Sequence, residues 1–412
     1  MKTRLLAGTA VAAMLLVAAG CGSKKPAEVV IPDGGTLKFG ASLALTGATA
    51  KEGGLTKEGY DLCKKIVNSK GGIVAGDKRY TLDIDYQDDT SKADVSAQLV
   101  DKYNDQGVKL ILGPYGSGPT EAVAAVIERN NQVMSDSAGA DDKIFAKGYK
   151  RSFAVLSPAS AYVASMVQAI NDLVPAAQKP KTIAFISADD GFSKTATTAG
   201  IAKARALGFE VVAEEYVPNG TTDVSAALTK IKPKNPDVII GSVHLAEGVA
   251  IIKQSKELGV TPSGGFAETV APPIPDFVKT LAGSADGVLG STQWTPKTAG
   301  SDKYFGTAAD YNKLFKSEYG DRDPAYQNAQ ATAGCLALVL AVEKAGSIEA
   351  DKVRDAMATL DTPSFFGQIK FDDTGKNVTK QMGVIQIQNG KVVSVWPKEA
   401  AEAPLKWPAT VK

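Results

Sequence analysis

One histidine, His244, and three cysteines, at positions 21, 63 and 335, are all that 412 residues carry of the side chains that most often ligate transition metals or take part in nucleophilic catalysis. A lone histidine excludes a His-rich metal cluster and leaves little room for a Ser-His-Asp arrangement. No GxSxG elbow, HExxH or CxxC pattern occurs, which argues against an enzyme. An excess of one charge is also missing: 46 basic residues face 45 acidic ones, so nothing argues for nucleic acid or an anionic surface as partner. Neither the GxxxxGKS/T phosphate loop nor the GxGxxG dinucleotide fingerprint is present, and no cofactor is expected. Past the N-terminal residues, no run is apolar enough to cross a bilayer.

What is present begins with an export signal. Lys2 and Arg4 precede an apolar run from Leu5 to Ala19, which closes on the small residues Ala18, Ala19 and Gly20 before Cys21. Residues 1–20 therefore read as a signal peptide, too short for a stable transmembrane helix. The stretch Val17-Ala18-Ala19-Gly20-Cys21 resembles a bacterial lipobox, in which the cysteine becomes the lipidated first residue of the mature chain. Ala18 stands where leucine is usual. Residues 21–35, rich in Lys, Pro and Gly, read as a tether spanning roughly 20 Å as a random coil.

About 375 residues remain, more than one core usually organises, so two domains are expected. Strand-like and helix-like patterns alternate through them. Residues 37–45 form a strand, and Leu55, Leu62, Ile66 and Val67 give a helical stripe ending at Gly71-Gly72. Tyr80, Leu82, Ile84 and Tyr86 alternate with polar residues, the period of a strand. A helix follows around Val95 to Tyr103, then an apolar strand over 108–112 and a helix over 120–131. After Ser157-Pro158 the alternation restarts, with strands over 182–187, 209–216 and 238–241 and helices over 159–173, 193–207, 223–231 and 247–258. Two such runs imply two α/β lobes, each a mostly parallel sheet flanked by helices, with a crevice between them. Cys63 and Cys335 both sit among apolar neighbours in helical patterns and read as buried thiols in preference to a bridge.

Ligands of open α/β sheets bind beyond the carboxyl ends of the strands, which directs attention to the loops leaving them. The loop GPYGSGPTEA (113–122) offers tight glycine turns, the hydroxyl of Ser117 and a helix start with unpaired amides, a combination suited to a carboxylate. The loop SDSAGADD (135–142) has the same small, polar character. For either loop alone, an ordinary βα turn with capping serines is an equal reading.

From residue 36 to its C-terminal region, the chain resembles the type I periplasmic binding proteins of branched-chain amino acid ABC transporters, with their two-lobed Venus-flytrap fold. The likeness lies in the order and spacing of LKFGASLALTGATAKEGG, NSKGGI, YQDDTSKA, ILGPYGSGPTEA, FFGQIKFDDTGKN and VIQIQNGKVV. It implies lobe one over 36–156 with 289–362, and lobe two over 157–288 with 363–412. It also implies an exported monomer, lipid-anchored or periplasmic, that delivers an amino acid to permease and ATPase subunits.

By position, Ser117 matches the serine that binds the ligand carboxylate, and Ser137 with Ala138 the pair whose backbone also holds it. Glu268 matches the acid that receives the ammonium, and Phe192 stands where an aromatic covers the ligand from the second lobe. Gly139 takes the place of a threonine that helps bind the head group, and Glu52 and Val243 replace aromatics of leucine-type binders. These departures leave open a solute other than leucine: an aromatic or aliphatic acid, an amide or urea. His244 either lines the cleft or sits on a solvated loop, and for Trp294 and Tyr326 core packing is preferred to ligand contact. A ligand-sensing receptor module is the other reading of such a fold, and it would be expected to carry a further transmembrane or signalling segment.

Overall fold

The computed structural model describes residues 33–409. The signal peptide, the lipidation site at Cys21 and most of the tether lie outside the described residues.

The first run is β1 (Thr36–Leu43), α1 (Ala50–Ser69), β2 (Ile73–Ala75), β3 (Lys78–Asp88), α2 (Ala93–Asp105), β4 (Leu110–Leu112), α3 (Ser117–Arg129), β5 (Val133–Asp136), α4 (Asp142–Phe145) and β6 (Ser152–Ala154). The second is α5 (Ser160–Leu173), β7 (Thr182–Ala188), α6 (Gly191–Ala206), β8 (Glu210–Val217), α7 (Ser225–Ile231), β9 (Val238–Ser242), α8 (Leu245–Leu258), β10 (Gly265–Glu268), α9 (Pro275–Leu281) and β11 (Leu289–Thr292). The chain then passes through the two-residue strands β12 (Ser301–Asp302) and β13 (Gly306–Thr307) to α10 (Ala308–Glu318), α11 (Tyr326–Ala345) and α12 (Ala350–Ala358). It closes with the hairpins β14 (Asp361–Ser364)–β15 (Gly367–Lys370) and β16 (Gly383–Gln388)–β17 (Lys391–Trp396).

Two sheets result. One has the order β2-β3-β1-β4-β5-β6 and the other β17-β16-β11-β10-β9-β7-β8. Buried strands such as β4 (LIL) and β9 (VIIGS) are covered on both faces, which is why they read as continuous apolar runs. Pairing is parallel from β3 through β1 and β4 to β6, and from β8 through β7, β9 and β10 to β11; the hairpin β16–β17 adds an antiparallel edge. The expected return to lobe one at residue 289 is too early. β11 is hydrogen-bonded between β10 and β16 and belongs to the seven-stranded sheet, so the chain crosses back only after Thr292.

In each sheet the strand order reverses once, between β1 and β4 in the first and between β7 and β9 in the second. Neighbouring strands there send their connections to opposite faces, and a crevice opens beyond their carboxyl ends.

Helix α11 is buried over most of its length and packs on α1. The approach is close because residue 59 is glycine: a Cβ there would lie 2.3 Å from the carbonyl oxygen of Asn328. Across this contact Cys63 and Cys335 are joined in a disulfide, with Cα atoms 6.2 Å apart. The reading as free thiols is corrected accordingly. Both sulfur-bearing residues are fully buried, as their apolar neighbours suggested, but a sequence separation of 272 hid that they meet.

Candidate functional site

The two reversal points face a common cavity of about 130 Å³. Sheet one contributes Thr49 from the connection after β1, Ser91 from that after β3, Tyr115 and the 116–119 segment after β4, and Ala138 and Ala140 after β5. Sheet two contributes Asp190, Gly191 and Phe192 after β7, Asn219 after β8, His244 after β9 and Val270 after β10, while Tyr162 of α5 and Tyr326 and Gln330 of α11 complete the wall.

The wall from the six-stranded sheet is rich in donors. Helix α3 begins at Ser117, three residues earlier than the sequence suggested, with Gly116 as its N-cap at φ 91°. The amides of Ser117 and Gly118 have no acceptor within the helix and lie at the positive end of its dipole, while Pro119 has no N–H to offer. Ser117 Oγ accepts the N–H of Asp141 at 3.0 Å and keeps its own proton to donate.

The 135–142 loop contributes differently from expectation. Ser137 is fully buried with its hydroxyl 2.7 Å from that of Tyr60, outside the cavity lining. The amides of Ala138 and Gly139 donate to Oδ1 of Asp136, at 2.9 and 2.7 Å, so neither is left for a ligand. Asp136 itself is pushed up to about 7 by burial, against those two amides. Gly139 has a local cause: a Cβ there would lie 2.4 Å from Cγ2 of Thr120. The space of the missing side chain is thus filled by Thr120, and Gly139 enlarges nothing.

The wall from the seven-stranded sheet carries charge. Asp190 caps α6, accepting the N–H of Ser193 at 2.8 Å and its hydroxyl at 3.0 Å, and its Oδ2 lies 3.0 Å from His244 Nε2. Burial alone would raise its carboxyl, but His244 and Ser193 hold it below the usual range, so it is ionised. Burial would likewise lower His244, yet the carboxylates of Asp190, Glu247 and Glu52 raise it to about 9. The wall therefore presents an imidazolium–carboxylate pair.

Aromatic rings line the cavity as well. Phe192 packs edge-on against Tyr162 with centroids 4.9 Å apart and lies 5.7 Å from His244; Tyr115 meets His244 at 6.5 Å. Gln330 lines the same space with an Oε1 that has no protein partner.

Of the residues singled out in the sequence, Ser117, Ala138, Phe192, His244 and Tyr326 line the cavity, whereas Ser137, Gly139, Val243, Glu52 and Glu268 do not. Val243 is fully buried in a second core cluster of the seven-stranded sheet. Trp294 is a core residue whose Nε1 donates to the carbonyl of Phe365 at 3.0 Å. Glu268 ends β10 with both carboxylate oxygens buried and unpartnered, packed against Gly248 of α8. Burial, then the charge of Glu247, raises its carboxyl well above the ordinary value. Sequence reading missed Tyr115, Tyr162, Asp190, Asn219 and Gln330. Asp190 carried a usable signal, an acidic residue directly between a strand and a helix start in ISADDGFSK.

The family profile described as "Periplasmic binding protein" matches residues 36–391. The chain belongs to this family. This binding protein has the type I fold expected from its sequence, and the family consists of solute-capturing proteins of ABC transporters that act outside the cytoplasm. It is 25% identical over 410 residues to the Leu/Ile/Val-binding protein homolog 8 of Brucella abortus, covering 95% of this chain and 98% of that one. Among solved structures, the leucine-binding protein LivK of Thermotoga maritima superposes with a TM-score of 0.77 at 22% identity, covering 87% of this chain and 97% of the other. A solute-binding protein of Rhodopseudomonas palustris in complex with benzoate superposes with a TM-score of 0.71 at 19% identity, covering 92% and 97%.

Proposed function

We propose that the protein captures a small, zwitterionic, mostly apolar amino acid in the cleft and delivers it to an ABC permease. The observation that carries this reading is the polarity of the cavity. The Ser117 hydroxyl and the Ser117 and Gly118 amides of α3 suit a carboxylate, the ionised Asp190 of the other lobe suits an ammonium, and aromatic rings line the rest of the wall. Asp190 takes the role that sequence position had given to Glu268, which stands behind the wall. At about 130 Å³ the cavity is well below the roughly 300 to 1,000 Å³ of drug-sized pockets, in keeping with a small solute. Because donors and acceptor sit on different lobes, both ends of the ligand are satisfied only when the cleft is shut, and binding energy drives closure.

A second reading, an aromatic carboxylate, draws support from the four rings of Tyr115, Tyr162, Phe192 and Tyr326 and from the benzoate-bound relative of similar fold. Calorimetry with the apolar amino acids and benzoate separates the two. We expect an amino acid to bind, and Ser117→Ala to weaken it by about 1.5 to 3 kcal/mol, roughly ten- to hundredfold. If benzoate binds and no amino acid does, the amino acid reading is wrong while solute capture stands.

Anchoring through Cys21 belongs to the same proposal. Cys21→Ser is expected to release the protein from membranes, as soluble or unprocessed chain, in a fractionation probed by mass spectrometry. Wild-type protein recovered without lipid in the soluble fraction contradicts it.

A further inference from the structure

Glu52 is a buried acid that lines no part of the cavity. It sits in the first turn of α1, at 2% exposure, and its Oε1 accepts the N–H of Leu245 at 3.3 Å. That hydrogen bond joins the two lobes, since α1 packs against the six-stranded sheet and Leu245 opens α8 beside the seven-stranded one. Burial raises the Glu52 carboxyl, and the strongest opposing influence is His244, again from the other lobe. Nearby contacts cross the cleft as well. Lys51 and Asp276 form an ion pair at 3.0 Å, Thr195 donates to Asp141 at 2.8 Å, and an added Cβ on Gly220 would stand 3.2 Å from that of Ala48. The Lys51 pair is exposed and screened, whereas Glu52 is dry.

We infer that Glu52 is a positioning residue, a latch that secures the closed cleft by bringing a side-chain acceptor from lobe one onto the Leu245 amide of lobe two, next to His244 in the chain, without touching the solute. In the open protein Glu52 returns to water and Leu245 N–H loses its partner. The latch holds for whichever solute binds, so it does not depend on the amino acid reading.

A proton follows from this arrangement. His244 is faced by Asp190 at the N-cap of α6, Glu247 on α8, Glu52 on α1 and the ring of Tyr115 from the loop after β4. Only Glu52 and Tyr115 leave when the lobes part, so closure raises the affinity of His244 for its proton. A group whose closed-state value is raised stabilises closure below its open-state value and loses that contribution as pH rises through the closed-state value, here about 9.

The chain has one histidine, so its imidazole resonance can be followed by NMR without assignment. Ala48→Cys with Gly220→Cys places two thiols at the crossing point, with Cβ atoms slightly nearer than the roughly 3.5 to 4.5 Å of a relaxed disulfide, to lock the lobes shut without a ligand. In the locked protein we expect His244 to titrate near 9, and Glu52→Gln to bring that midpoint down, by less than Asp190→Asn does. Asp190→Asn serves as a reference that must lower it in locked and unlocked protein alike. A locked midpoint unchanged by Glu52→Gln overturns the latch.

Discussion

Asp190→Asn is expected to weaken amino acid binding by about 2 to 5 kcal/mol, roughly 30-fold to several thousand-fold in Kd, while leaving the fold intact. The fold survives because asparagine caps helices about as well as aspartate, and the Ser193 N–H at 2.8 Å keeps an acceptor. What is lost is charge. An ammonium in the cavity would face the imidazolium of His244 with its carboxylate partner gone, and truncating one member of a buried pair leaves the other uncompensated. An aromatic carboxylate without an ammonium should respond in the opposite sense, since a negative charge has been taken from its site.

One titration series on Asp190→Asn therefore tests the residue and discriminates between solutes. Glu268→Gln is the control. With both oxygens outside the cavity, that carboxyl should leave affinity within a fewfold of wild type. Unchanged affinity in Asp190→Asn together with a large loss in Glu268→Gln would return the ammonium to Glu268.

That exchange of roles shows what could be read from the residues alone. The alternation of buried strands and amphipathic helices was legible because it rests on local periodicity, and the strands and helices expected between residues 80 and 258 fall within three residues of those observed. Ser117 was legible because its loop combines glycines, a hydroxyl and a helix start. Residues whose meaning depends on the other lobe were not. Glu52 and His244 are separated by 192 positions, and nothing local says that the helix start carrying one closes on the strand end carrying the other. Gly139 misled for a similar reason: a missing side chain reads as empty space until Thr120, nineteen residues earlier, is seen to fill it. The return of the chain at β11 was misplaced because a four-residue strand, LGST, has no period long enough to show which sheet it joins.

The Cys63–Cys335 bridge is the clearest long-range feature and carries the largest expected effect on stability. It closes a loop of 272 residues, and restricting so long a loop in the unfolded chain stabilises the native state by on the order of 5 kcal/mol in the chain-entropy account. A bridge of this kind also suits a protein that acts outside the cytoplasm, where disulfides persist. Cys63→Ala with Cys335→Ala should thus lower the melting temperature by about 6 °C, measured by calorimetry beside the wild type. The consequence reaches the cleft through the two helices it joins. α1 presents Glu52 at its start, and the first turns of α11 present Tyr326 and Gln330, so loosening their contact blurs one wall of the cavity without removing any group from it. We expect a severalfold loss of affinity alongside the large loss of stability. Two free thiols in the purified wild type, counted by mass spectrometry after alkylation under denaturing conditions, would show that the sulfurs are not joined. A melting temperature unmoved by the double substitution would show that the bridge, if formed, does not constrain the unfolded chain.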